Sequence, residues 1–82
     1  MKYIVYGMQG CNWCVRARNL LHTKQVAHEY VDILAHPDAR HFIVEEEGHQ
    51  TVPQVYTRSA LNIMEHIGGY EALEEHFKKI TH

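Results

Sequence analysis

The spacing of apolar and polar positions predicts a strand, a helix and a second strand in the first part of the chain. Residues 2–6 are aromatic or β-branched with almost no polar interruption, which suits a central strand buried on both faces. Apolar positions then recur every three or four residues over about 12–24, as in an amphipathic helix. Residues 28–33 alternate again and predict another strand. This order predicts a right-handed βαβ unit with parallel strands.

The next segment predicts a second helix. It opens at His36-Pro37-Asp38, because proline is tolerated in the first helical turn. An acidic run at residues 45–47 lies near its end, where negative charge opposes the helix dipole. We interpret this run as a solvated face with little functional weight.

A β-hairpin and a last helix complete the pattern. Residues 51–56 are extended, with Pro53 at the strand's entry because proline cannot donate to a β-ladder. Residues 58–62 predict a turn and residues 63–67 a fourth strand. The C-terminal helix is predicted from apolar residues at helical spacing, namely Tyr70, Leu73, Phe77 and Ile80. The chain is therefore predicted to be one α/β domain, residues 1–82, with the order βαβαββα and three helices on a mixed four-stranded sheet.

Composition limits the functions that this chain can have. With 82 residues, 45% of them hydrophobic, it has the size and composition of a small globular domain. A net charge of −2 argues against a nucleic-acid partner. The apolar stretch at residues 2–6 is far too short to span a bilayer. We expect a monomeric, cytoplasmic protein without a membrane segment.

The only two cysteines, Cys11 and Cys14, form a C-x-x-C at the predicted junction of strand and helix. A disulfide across so short a loop constrains little of the unfolded chain, so a structural staple is disfavoured. Structural zinc generally needs four ligands and this pair supplies two. The eight histidines are scattered and are interpreted as solvated surface residues: His22, His28, His36, His41, His49, His66, His76 and His82. We therefore predict a redox site and no metal site.

The position of each cysteine predicts its role. Cys11 lies at the N-terminal end of the helix, where unpaired N–H groups and the helix dipole lower the pKa of a thiol, so it is the predicted nucleophile. Cys14 is one turn further along on the apolar stripe, so it is the predicted resolving thiol. Trp13 lies between them and is predicted to form a partly exposed wall of the substrate groove.

The motifs Cys-Asn-Trp-Cys at 11–14, Thr-Val-Pro at 51–53 and Gly-Gly-Tyr at 68–70 give the chain a resemblance to the glutaredoxins, over essentially its full length. The resemblance implies a thioredoxin-like fold and glutathione-dependent dithiol–disulfide exchange, with glutathione as reductant and no bound cofactor. The chain looks closest to the small thioredoxin/glutaredoxin of T4-like bacteriophages. Such proteins donate electrons to ribonucleotide reductase.

The resemblance also implies roles for residues outside the C-x-x-C. In the Thr51-Val52-Pro53 motif the proline would be cis and face the cysteines, and the backbone of Val52 would pair with the substrate's cysteine residue. Gly69 would allow close approach of the backbone to a ligand.

Three further positions are implied to bind glutathione. The amides of Tyr70 and Glu71 would hold its γ-glutamyl carboxylate, the Glu71 side chain its ammonium group, and Arg40 its glycine carboxylate. Met8 stands where many glutaredoxins have a lysine, and Ala72 where a second acid often follows. Both departures weaken the predicted glutathione contacts.

Two alternatives share the C-x-x-C with this prediction. One is a redoxin of the same chemistry that is recharged by thioredoxin reductase. The other is a carrier module for an iron–sulfur cluster or metal, held by Cys11 with glutathione as the other thiolate.

Overall fold

A computed structural model of the chain describes residues 1–80, so the predicted surface position of His82 lies outside it. Four strands form one sheet in the order β2-β1-β3-β4. They are β1 (Lys2–Gly7), β2 (His28–Asp32), β3 (Gln54–Arg58) and β4 (Met64–Gly68). β1 pairs in parallel with β2 and antiparallel with β3, and β3 pairs antiparallel with β4. The predicted mixed sheet is therefore confirmed.

The helices follow the predicted order. They are α1 (Asn12–Thr23), α2 (Pro37–Arg40), which continues into a π-helical segment (His41–Glu46), and α3 (Tyr70–Ile80). The order βαβαββα and the thioredoxin-like fold are thus confirmed. Over residues 1–80, no helix is both long enough and apolar enough to cross a bilayer.

The second helix and the hairpin differ in detail from the predictions. The predicted continuous helix widens after Arg40, as shown by an i→i+5 bond from the Glu47 amide to Phe42 O at 2.9 Å. Of the predicted extended segment at 51–56, only Gln54 onward joins the sheet, because Pro53 has no N–H for the ladder. In the hairpin, β3 ends at Arg58 and not at residue 56 as predicted, and β4 begins at Met64 and not at residue 63.

The core lies on both faces of β1, whose residues from Tyr3 to Tyr6 are buried, as predicted. Tyr3 and Val5 face the helices α1 and α3, where they pack with Ala17, Leu21, Leu73 and Phe77. Ile4 and Tyr6 face the π-helical side, where they pack with Ile33, Ile43 and Tyr56. The sheet is thus covered by two helices on one face and by α2 with the π-helical segment on the other. This packing fixes the C-terminal end of β1, from which the C-x-x-C loop emerges.

Candidate active site

Cys11 is the N-cap residue of α1. Its backbone is extended, and its sulfur accepts a hydrogen bond from the Cys14 amide at 3.1 Å. Gly10, just before it, has φ of 83°, a left-handed conformation that glycine adopts without strain. The sulfur therefore lies where the first N–H groups of the helix are unpaired, a position that stabilises a thiolate.

Cys14 is one helical turn further along and is only 1% exposed, whereas Cys11 is partly exposed. The two sulfurs are joined in a disulfide, with their Cα atoms 5.2 Å apart. Gly7 at the end of β1 makes room for the buried sulfur. A Cβ added there would lie 2.8 Å from Cys14 Sγ and 2.8 Å from the Tyr30 ring. The absence of a side chain at Gly7 is therefore a condition for this position of Cys14.

The Thr51-Val52-Pro53 segment approaches the cysteines from the other side. The Val52–Pro53 peptide bond is cis, as the resemblance implies, and Pro53 is buried. The carbonyl oxygen of Val52 lies 3.8 Å from Cys11 Sγ. The segment thus forms a wall beside the more exposed sulfur.

A cleft of about 350 Å³ lies between this segment, the start of α1 and the start of α3. Its lining consists of Trp13, Thr51, Val52, Pro53, Gly69, Tyr70, Glu71 and Ala72. Seven of the eight predicted substrate-binding residues are therefore brought together, from three segments. Trp13 is 50% exposed, and its ring lies 5.6 Å from the Tyr70 ring, with the Arg16 guanidinium 4.7 Å above it. The geometry of Trp13 is that of a cleft wall.

Arg40 is the exception among the predicted residues. Its side chain is exposed and lines a second cavity of about 330 Å³ together with Met8, Leu34 and other residues. This second cavity adjoins the cleft, because Thr51 and Val52 line both. The structure therefore places Arg40 in the cavity next to the cleft and not in the cleft with Tyr70, and its binding of the glycine carboxylate stays a prediction.

The structure also brings together a polar and aromatic group that the sequence analysis missed. We call it the Tyr56 cluster, and it consists of Glu47, His49, Gln54, Tyr56 and His66. The Tyr56 hydroxyl donates to Glu47 Oε1 at 2.6 Å, so Glu47 has a hydrogen-bond partner in the sheet although its side chain is exposed, as predicted for the acidic run. The rings of His49 and His66 lie 4.6 Å apart; His66 is exposed, as predicted, whereas His49 is partly buried.

Burial and neighbouring charges alter the titration of this cluster. Desolvation, followed by the hydrogen bond and the charge of Glu47, raises the pKa of Tyr56. Desolvation and then the neighbouring His49 lower the pKa of His66, against a smaller opposite effect of Glu47. Two of the partners, Gln54 and Tyr56, alternate on one face of β3, which the sequence could have indicated. The others come from separate segments, so no local signal connects them.

Within the part of the chain that the structure describes, no group of three or more His, Cys, Asp or Glu side chains is arranged to hold a metal ion.

Comparisons with known proteins agree with the geometry of the site. The glutaredoxin family model matches residues 3–61. Glutaredoxin 1 of Rickettsia conorii is 33% identical over 72 residues, covering 85% of this chain and 66% of that protein. The solution structure of glutaredoxin from Brucella melitensis superposes with a TM-score of 0.74 at 30% identity, over 98% of this chain and 82% of that chain.

A crystal structure of a buckwheat glutaredoxin–glutathione complex also shares the fold, with a TM-score of 0.74 at 20% identity over 94% of this chain and 68% of that chain. The family model covers most of the chain, including both cysteines and the Thr51-Val52-Pro53 segment. The chain therefore belongs to the glutaredoxins, the glutathione-dependent thiol–disulfide oxidoreductases, and Cys11 and Cys14 are its C-x-x-C pair.

Proposed function

We propose that this protein reduces protein disulfides and glutathione mixed disulfides, with Cys11 as the attacking thiolate and Cys14 as the resolving thiol. One observation carries the proposal. The Cys11 sulfur lies at the N-terminus of α1 beside an open cleft, while the Cys14 sulfur is buried directly behind it. A substrate in the cleft has access to Cys11 and is shielded from Cys14.

The reaction proceeds by two thiol–disulfide exchanges. The Cys11 thiolate attacks one sulfur of the substrate disulfide, which forms a mixed disulfide and releases the first substrate thiolate. Cys14 then loses its proton and attacks Cys11 Sγ, which forms the Cys11–Cys14 disulfide and releases the second substrate thiolate. Two electrons pass from the protein to the substrate, and the product is the oxidised state seen in the structure.

Glutathione returns the two electrons. One glutathione thiolate attacks Cys11 Sγ and frees Cys14, and a second attacks the bound glutathione sulfur, which frees Cys11 and yields oxidised glutathione. The cleft supports this role with the backbone of Val52 beside Cys11 and with the start of α3 at Tyr70 and Glu71. In this proposal the α3 amides hold the γ-glutamyl carboxylate and Glu71 its ammonium group. The related buckwheat protein was crystallised with glutathione.

The physiological acceptor in this proposal is ribonucleotide reductase. The support is the resemblance of the Cys-Asn-Trp-Cys motif at 11–14 and its surroundings to the small redoxins of T4-like bacteriophages. We also propose that the protein acts as a monomer in the cytoplasm, where thiols are kept reduced.

A redoxin recharged by thioredoxin reductase is the second candidate. It is favoured by Met8, which lines the neighbouring cavity at the position where a lysine would clamp glutathione. The missing lysine reduces the positive charge available to glutathione carboxylates without affecting the dithiol.

A comparison of electron donors tests the proposal. In one reaction the protein is supplied with NADPH, glutathione reductase and glutathione, and in the other with NADPH and thioredoxin reductase. The acceptor in both is a disulfide whose reduction requires a dithiol, such as that of insulin. We expect NADPH consumption with the glutathione system. Turnover with thioredoxin reductase alone would establish the second candidate instead, and no turnover with either would reject disulfide reduction.

A further inference from the structure

The side chain of Gln54 folds back onto the segment that forms one wall of the cleft. Gln54 is the first residue of β3, directly after Pro53, and is only 7% exposed. Its Nε2 donates to the carbonyl oxygen of Thr51 at 3.1 Å and approaches Thr51 Oγ1 at 3.4 Å. The buried Gln54 side chain thus holds the Thr51–Pro53 segment by hydrogen bonds to Thr51.

The orientation of the Gln54 amide follows from hydrogen-bond chemistry. The Thr51 carbonyl only accepts, so the amide nitrogen faces it and the amide oxygen faces the opposite way. That oxygen lies 2.7 Å from His66 Nε2. Because an amide oxygen also only accepts, His66 must carry a hydrogen on Nε2 and donate it. The Thr51 carbonyl and the His66 N–H are thus both compatible with one orientation of the Gln54 amide.

A β-bulge in β4 brings His66 to this place. Val55 pairs with Gly68, but Tyr56 pairs with His66, so Ile67 is the extra residue on β4. The bulge puts His66 on the same sheet face as Gln54 and Tyr56, while Ile67 packs against the core on the α1 and α3 side. In an unbulged ladder Ile67 would stand opposite Tyr56 instead.

The rest of the Tyr56 cluster orients the His66 ring. That ring lies 4.6 Å from the His49 ring and 4.8 Å from the Tyr56 ring. Tyr56 gives its only hydroxyl hydrogen to Glu47, so its oxygen accepts from His49 Nε2 at 2.9 Å. Both histidines therefore carry hydrogen on Nε2. The cluster contains two directed chains of hydrogen bonds, His49–Tyr56–Glu47 and His66–Gln54–Thr51, which meet through the ring contacts of His66.

The Gln54–His66 bond joins the strands that lead into two walls of the cleft. β3 begins directly after Pro53, and β4 ends directly before Gly69. We propose that Gln54 and His66 are positioning residues that hold the backbone of the Thr51–Pro53 wall for pairing with peptide substrates. The inference rests on the proposed function, because it assumes that Val52 pairs with the substrate's backbone.

The test compares a peptide disulfide with a disulfide that has no peptide backbone. The peptide probe is a cysteine-containing peptide in mixed disulfide with glutathione. The second probe is 2,2′-dithiodipyridine, which reacts with the reduced protein in a single turnover. His66→Phe keeps an aromatic ring but removes the donor, and His66→Gln restores an N–H donor. Gln54→Met removes the hydrogen bonds of the side-chain amide to Thr51 and to His66. His22→Phe, at an exposed position on α1, is the control.

We expect His66→Phe and Gln54→Met to raise KM for the peptide about fivefold, which corresponds to about 1 kcal/mol, the net effect of one neutral hydrogen bond. Their kcat and their rates with 2,2′-dithiodipyridine should stay near those of the unaltered protein. His66→Gln should recover most of the affinity, and His22→Phe should change neither probe.

Three results would overturn the positioning role: an unchanged KM in both His66→Phe and Gln54→Met, equal losses on the two probes, or no recovery in His66→Gln. Equal losses would indicate a general structural effect. If the unaltered protein leaves the peptide disulfide intact, the proposed function itself is rejected. If the unaltered protein reduces the peptide disulfide and the His66 and Gln54 variants do so equally well, only the positioning role is rejected.

Discussion

The end of β1 packs directly against the buried sulfur of the active site, because a Cβ at Gly7 would lie 2.8 Å from Cys14 Sγ. Gly7→Ala should therefore displace Cys14 or the strand, with a loss of about 1–3 kcal/mol in the free energy of unfolding, as for other overpacked core positions. Urea denaturation of the reduced protein measures this loss, and release of substrate from the mixed disulfide should also slow.

Gly69→Ala is the matched control for stability, since the nearest atom to an added Cβ there is the Pro53 oxygen at 3.7 Å. If Gly7→Ala is as stable as Gly69→Ala and resolves mixed disulfides at the normal rate, the account of Gly7 is wrong.

Stability should fall in mild acid because of His66. Its pKa is lowered in the folded state, by burial and by His49 beside it, so the unfolded chain binds the proton first. The stabilisation is thus present above the unfolded pKa of about 6.5 and is lost as the pH falls through the lower folded pKa. Urea denaturation at a series of pH values should show this loss, and His66→Gln should reduce the slope. An identical slope in His66→Gln would contradict the assignment.

Glutathione binding should depend more on Glu71 than on Arg40. Glu71 lines the cleft, whereas Arg40 lines the neighbouring cavity. Removal of an exposed charge by Glu71→Gln should raise KM for glutathione by up to about fivefold, equivalent to about 1 kcal/mol. Arg40→Ala should have a smaller effect. Steady-state kinetics with glutathione reductase measure both, and a larger effect of Arg40→Ala would place the glycine carboxylate in the second cavity.

Patterns local in sequence were sufficient to predict the fold and the position of Cys11, whereas most of the cleft was predicted from the resemblance to the glutaredoxins. The buried β1 strand follows from its unbroken apolar run, and the N-cap position of Cys11 from the change of period at Asn12. The motifs at 51–53 and 69–71 were predicted to converge, and they line one cleft.

Features that depend on packing between distant segments were not predictable. The π-helical segment packs Ile43 and Phe42 against the sheet, with the Phe42 ring 5.5 Å from the Tyr56 ring, and such long-range contacts leave no local pattern in the sequence. The Tyr56 cluster depends on a bulge at Ile67, which no residue pattern announces. Arg40 was placed by analogy with the family, and the short α2 leaves it in a neighbouring cavity.

The assignment of Cys11 as nucleophile and Cys14 as resolving thiol is tested most directly by mass spectrometry of trapped intermediates. Reduced Cys11→Ser and Cys14→Ser variants are mixed with a protein disulfide, quenched with acid and weighed intact. We predict that Cys14→Ser accumulates a mixed disulfide through Cys11 and keeps activity toward glutathionylated substrates, whereas Cys11→Ser forms no adduct and has no turnover. An adduct on Cys14 in the Cys11→Ser variant, or full dithiol activity in either variant, would contradict the account.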